Sequence, residues 1–192
     1  MPGFRKAGLG RGRRLALGAG VVAVAGTLLA AGLLHRPALA HPSWSEVAWP
    51  YPLDPWPAGR AFRCSAAGCG SEIRIAIRPK IGFCNCSTGV ADDDEIDRVG
   101  DLVVLGSDYR PDGASWPITI GKLVGRSRRY EVAQPGGHKL HALGLAASAH
   151  CDVVVGTIDS DAPIPPETER AALTFLAADP VRSWAEAAVG GP

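Results

Sequence analysis

An uncharged run of twenty residues, Leu15 to Leu34, follows a start that carries bases and no acids. It sets aside the first forty of the 192 residues before any fold is considered. Arg5, Lys6, Arg11, Arg13 and Arg14 precede the run, and Ala38-Leu39-Ala40 follows as a small-x-small cleavage pattern, leaving His41 as the new terminus. The bases stay on the negative inner side of a membrane while the apolar run enters it. Arg13-Arg14 fits a twin-arginine signal only loosely. The run is also long enough to span a bilayer, so the alternative to a cleaved signal is an anchor at residues 15–34 facing the periplasm. Both readings put the remainder outside the cytoplasm, in the periplasm or secreted.

Without residues 1–40, which hold six bases and no acid, fourteen bases face nineteen acids, a formal charge of −5. That balance speaks against nucleic acid as a partner, since the basic stretch Arg126-Ser127-Arg128-Arg129 is too small to reverse it. This patch is expected to meet acids of the same chain.

All five cysteines lie beyond the cleavage point, and Cys64, Cys69, Cys84 and Cys86 fall within 23 residues. In an oxidising compartment such a cluster reads as a disulfide staple. Cys84 and Cys86 are too close to bond each other comfortably. The expectation is that Cys64 or Cys69 joins Cys84 or Cys86 across a hairpin, with Cys151 left as a buried thiol.

Residues 41–60 hold five prolines, three tryptophans and Tyr51, which reads as an extended arm with its aromatic side chains pinned on the domain's own core. Residues 61–192 read as one α+β domain, an antiparallel sheet of five or six strands with helices packed on it. Ser71–Arg78 alternates, with Ile73, Ile75 and Ile77 on one face, and is expected to turn at Pro79–Gly82 and pair back through Phe83–Cys86. A helix is expected over Ala91–Gly100 after that hairpin, then a short strand at Leu102–Leu105 and a polar loop at Ser107–Gly113. Further strands are expected at Ile118–Val124, Arg128–Val132, Lys139–Ser148 (where a helix also suits the composition) and Cys151–Ile158. Two C-terminal helices follow, from about Glu167 to Ala178 and after Asp179-Pro180.

No complete catalytic constellation is present: the nucleophile elbow, the Cys-x-x-Cys pair and the phosphate-cradling glycine loop are all missing. The leading expectation is therefore an exported, disulfide-stapled accessory or binding protein without catalytic activity or cofactor, its partner a periplasmic protein or a small ligand. A copper- or zinc-handling protein is the alternative, with Cys84, Cys86, His41, His138 and His141 as candidate ligands. A small enzyme using carboxylates and a histidine is a third. Asp92, Asp93, Asp94, Glu95, Asp97 and Asp101 form an acidic patch without the spacing of a calcium loop, and read as carboxylates gathered at a helix N-terminus.

Overall fold

A computed structural model describes residues 42–52 and 54–190. The expected leader, with His41, lies outside the described residues. No helix among the described residues is long and apolar enough to cross a membrane.

The architecture is α+β, with a single antiparallel sheet of seven strands where five or six were expected. The strands are β1 (Ser45–Val47), β2 (Arg60–Cys64), β3 (Ile73–Lys80), β4 (Tyr109–Ile120), β5 (Leu123–Ala133), β6 (Lys139–Ala149) and β7 (Asp152–Ser160), in the order β1-β2-β3-β7-β6-β5-β4. Two meanders, β1 to β3 and β4 to β7, are therefore joined where β7 pairs with β3 in the register Arg74↔Asp159 to Lys80↔Val153. The helices are α1 (Ala66–Cys69), α2 (Asp93–Val99), α3 (Pro166–Leu176) and α4 (Val181–Val189). The four-residue α1 was not anticipated.

The period-two alternation of the strands gives the sheet two unlike faces. On one, Phe62, Ile73, Ile75, Ile77, Leu143, Leu145, Val154 and Ile158 pack against Ala172 and Leu176 of α3 and Val181, Ala185 and Val189 of α4. The opposite face carries Ala146, Val153 and Val155 beneath Ile96 and Val99 of α2, and Tyr130, Val132, Leu140 and Ala142 beneath Leu102. Gly144 permits that second contact, because a Cβ there would lie 2.6 Å from Leu102 Cδ2.

Several expected segments shift, each for a local reason. Ser107–Gly113 was expected as a loop because of Pro111, Asp112 and Gly113, yet most of it lies in β4. That strand is at the sheet edge, where proline is tolerated, and its register with β5 shifts between Asp112 and Trp116. Leu102–Val104 is a 3-10 turn in place of a strand. The hairpin from β3 through Phe83–Cys86 does not form: β3 runs on through Pro79 to Lys80 against β7, and residues 81–92 leave the sheet toward α2. There the Asn85 side chain accepts from the backbone N–H of Ser87, closing a local turn.

The cysteine pairing changes with it. Cys64, at the end of β2, bonds Cys69 at the end of α1, and Cys86 bonds Cys151 in the turn between β6 and β7. Both expected bridges between the two cysteine pairs are thus replaced, because the partner of β3 is β2 and not the segment that follows it. Cys84 is the buried free thiol and Cys151 is not. Within the arm, Ser45–Val47 form β1, the edge strand beside β2. Trp44 stacks on Phe175 of α3, while Trp49 and Trp56 lie on the opposite side of the sheet against Arg78 and Phe83.

Candidate functional site

Small side chains on the second face open a hollow. Ala61 of β2 stands opposite Ala76 of β3, which stands opposite Thr157 of β7; Asp159 stands opposite Ala142 of β6. The arm passes over these positions, and between arm and sheet lies a cleft of about 520 Å³. Val47, Ala48, Pro50 and Tyr51 of the arm form one wall, Val104, Leu105 and Leu140 contribute apolar surface, and Arg63, Glu72, Arg74 and Asp159 supply the polar end. A volume of this size suits a small molecule.

Asp159 is 1% exposed. Its Oδ2 accepts from Arg74 Nε at 2.7 Å, but Oδ1 is buried without a hydrogen-bond partner among the described residues; the hydroxyl of Thr157, two residues earlier on the same face, is also buried and faces the Tyr51 phenol. Burial pushes the Asp159 carboxyl above its ordinary range, while the charge and hydrogen bond of Arg74 act in the other direction. Burial, followed by the negative charge of Asp159, raises the phenol of Tyr51 to about 12, so it stays protonated. Arg74 also lies 3.4 Å from Asp161 and 4.0 Å from Glu72, and Glu72 pairs with Arg63.

A second ionic cluster fastens the arm. Arg78, 2% exposed, donates to both carboxylate oxygens of Asp101 at 2.7 and 2.9 Å and to both of Asp54 at 2.7 and 2.8 Å. Burial works to lower the Arg78 pKa, but these two carboxylates outweigh it and the net shift is upward. Lys80 reaches Asp101 at 3.0 Å, and the Trp49 ring centroid lies 5.6 Å from the Arg78 guanidinium. Asp54, itself exposed, therefore ties the arm to the sheet through a bidentate contact with the buried Arg78, of the kind that fixes geometry well.

The residues singled out in the sequence are scattered around this site. The acidic patch is largely consumed internally: Asp92 caps α2 by accepting from the Glu95 N–H, Glu95 pairs with Arg98, and Asp93 and Asp97 pair with Arg128. Asp97 also accepts from Tyr130 Oη at 2.5 Å, and Asp101 belongs to the Arg78 cluster. Asp94 is exposed. The expected match between basic stretch and acidic run is thus made by Arg128, whereas Arg129 turns to Glu169 of α3.

Of the candidate copper or zinc ligands, the four described ones, Cys84, Cys86, His138 and His141, are not brought together. Cys86 is oxidised and has no thiolate to offer; Cys84 is buried, which pushes its thiol pKa up, and its sulfur contacts the His150 carbonyl. His138 sits 3.1 Å from Asp161, while His141 lies on β6 opposite Glu131 and Ser160. Among the described residues no three His, Cys, Asp or Glu side chains gather as a metal site.

Sequence reasoning passed over Asp159, Thr157, Arg74, Arg78 and Tyr51. A signal existed for the first two: a threonine and an aspartate close the apolar strand Val153–Ile158, where a charge is costly without a partner. The alternation of β3 placed Arg74 and Arg78 correctly on the face away from the isoleucines, but gave no hint that a second layer covers them.

No family model matches the chain, and no curated protein matches it. Among solved structures it is similar to a crystal structure of a protein of unknown function, PA94, from Pseudomonas aeruginosa. The TM-score is 0.36 at 15% identity, covering 74% of this chain and 85% of the other.

Proposed function

We propose that this chain is an exported, disulfide-stapled binding protein, without catalytic activity, that holds a small ligand between its arm and its sheet. One observation carries the reading: the cleft under the arm ends on a buried carboxylate with an oxygen that has no partner among the described residues. A buried polar atom without a partner is costly, and a ligand that satisfies it recovers that cost on binding. The leader pattern and the two disulfides support export. The absence of a nucleophile with an adjacent base in the sequence favours binding over turnover.

The test is native mass spectrometry of protein purified from the periplasmic fraction. A small molecule is expected to co-purify with the wild type and to be lost from Ala48→Trp, which fills the mouth of the cleft from an exposed arm position. Equal ligand content in both proteins would defeat the assignment to this cleft. Recovery of the chain only from the cytosol, with its thiols reduced, would defeat the export reading.

A further inference from the structure

Charge at the polar end of the cleft narrows the ligand, on the reading that the cleft is the binding site. Its charged lining is balanced: Arg63 pairs with Glu72, and Arg74 with Asp159. Asp161, which also meets Arg74, stands outside the lining, exposed and held by His138. An incoming charge therefore finds no free counterion. A cation brought to Asp159 meets the guanidinium of Arg74, whose Nε and Nη2 both lie 2.7 Å from Oδ2. An anion brought to Arg74 meets the carboxylate. Either one gives up its hydration for a site that is already neutral, and that loss is large for an ion.

Hydrogen bonding at the same place is incomplete. Asp159 is buried in the cleft wall, and its Oδ1 has no partner among the described residues. The Arg74 donors do not serve it, since Nε and Nη2 are on Oδ2 and Nη1 is directed to Asp161. What this end calls for is a donor without a charge. The remaining lining (Val47, Ala48, Pro50, Val104, Leu105 and Leu140 among it) is apolar. We infer that the cleft takes a small uncharged aliphatic molecule with one hydrogen-bond donor, a hydroxyl or an amide N–H, placed on Asp159 Oδ1.

Isothermal titration of the full chain at neutral pH with hexanol, pentyl methyl ether, hexylamine and hexanoate separates charge from donor. Hexanol is expected to bind about tenfold tighter than the ether, an isomer with the same atoms and no donor. It should also bind about tenfold or more tighter than either ion. In Asp159→Asn the amide oxygen keeps the Arg74 contact, which turns the NH2 to the place of Oδ1, a donor where an acceptor stood. The advantage of hexanol over the ether should then vanish. Glu72→Gln breaks only a partly exposed ion pair, so its folding is secure. It leaves the lining one positive charge in excess and should tighten hexanoate about threefold, with hexanol unchanged.

Ether binding as tightly as hexanol, or a hexanol advantage that survives Asp159→Asn, overturns the donor assignment. Either ion binding as tightly as hexanol, or hexanoate unmoved by Glu72→Gln, overturns the neutral site. These results leave the binding reading standing. No heat from any of the four overturns this inference, and the ligand content of wild type against Ala48→Trp then decides separately whether the cleft binds at all.

Discussion

The two faces of the sheet solve the same covering problem with opposite chemistry. Under α3 and α4 the contact is hydrocarbon against hydrocarbon, built from isoleucine, leucine and valine. Beneath the arm, beside the smaller apolar clusters under α2 and Leu102, β3 and β7 present Arg74, Arg78, Lys80, Thr157 and Asp159. Burying apolar surface contributes stability without demanding a particular geometry. Burying charge contributes little net stability, yet it demands that each partner be in place. The difference teaches that the helical face holds the domain together, while the arm face is spent on arrangement, and the cleft lies on the second.

The largest effect expected on the charged face is from Arg78→Met. It strands Asp101 without its main partner and should cost about 3–5 kcal/mol in urea unfolding. A loss below about 1 kcal/mol would mean that the ionic cluster is not desolvated in solution, and the contrast between the faces would fail. Replacing Cys86 and Cys151 together by alanine should cost about 4 kcal/mol, because that bridge spans 65 residues.

On the helical face, Leu176→Ala should cost about 3 kcal/mol, through lost burial and the void it leaves. Removing the Cys64–Cys69 bridge, which spans five residues, should cost about 2 kcal/mol, half the loss at the other staple. Equal losses for the two bridges would show that loop length is not what distinguishes them.

The smallest effects are in pH dependence, and they run in opposite directions. Asp159 has its pKa raised in the fold from the ordinary 3.8. The folded state therefore binds its proton first, and its contribution to stability grows as pH falls through the raised pKa, levelling off near 3.8. Asp93 has its pKa lowered by the hydrogen bonds of the Ser115 side chain and backbone N–H. Its contribution is fully present above 3.8 and is lost as pH falls through the lower folded value. Unfolding at stepped pH for Asp159→Asn and Asp93→Asn should remove one slope each. Slopes of the same sign would break the distinction.

The sequence made the helical face readable and the arm face nearly unreadable, for one reason. Alternation in Ile73-Arg74-Ile75 reports which side chains share a side; it does not report what lies above them. An arginine pointing away from isoleucines reads as solvated unless a distant segment covers it. The segments that cover Arg78, Asp54 from the arm and Asp101 after α2, are 24 and 23 residues away. Five prolines pointed to an extended arm, but not to the pairing of Ser45–Val47 with β2 or to where the arm crosses the sheet, since both depend on contacts made at long range. The cysteine pairing was lost for the same cause. Spacing within 64–86 implied a local hairpin, whereas β3 pairs on its far side with a strand near the end of the domain.

The seam between the two meanders has a further consequence. Arg74 and Asp159 stand opposite each other across it, one contributed by the third strand and the other by the seventh. A polypeptide emerging from its N-terminus has no cleft floor until its last strand slots between edges formed long before. The cleft is therefore completed late in maturation, and neither meander alone would carry it.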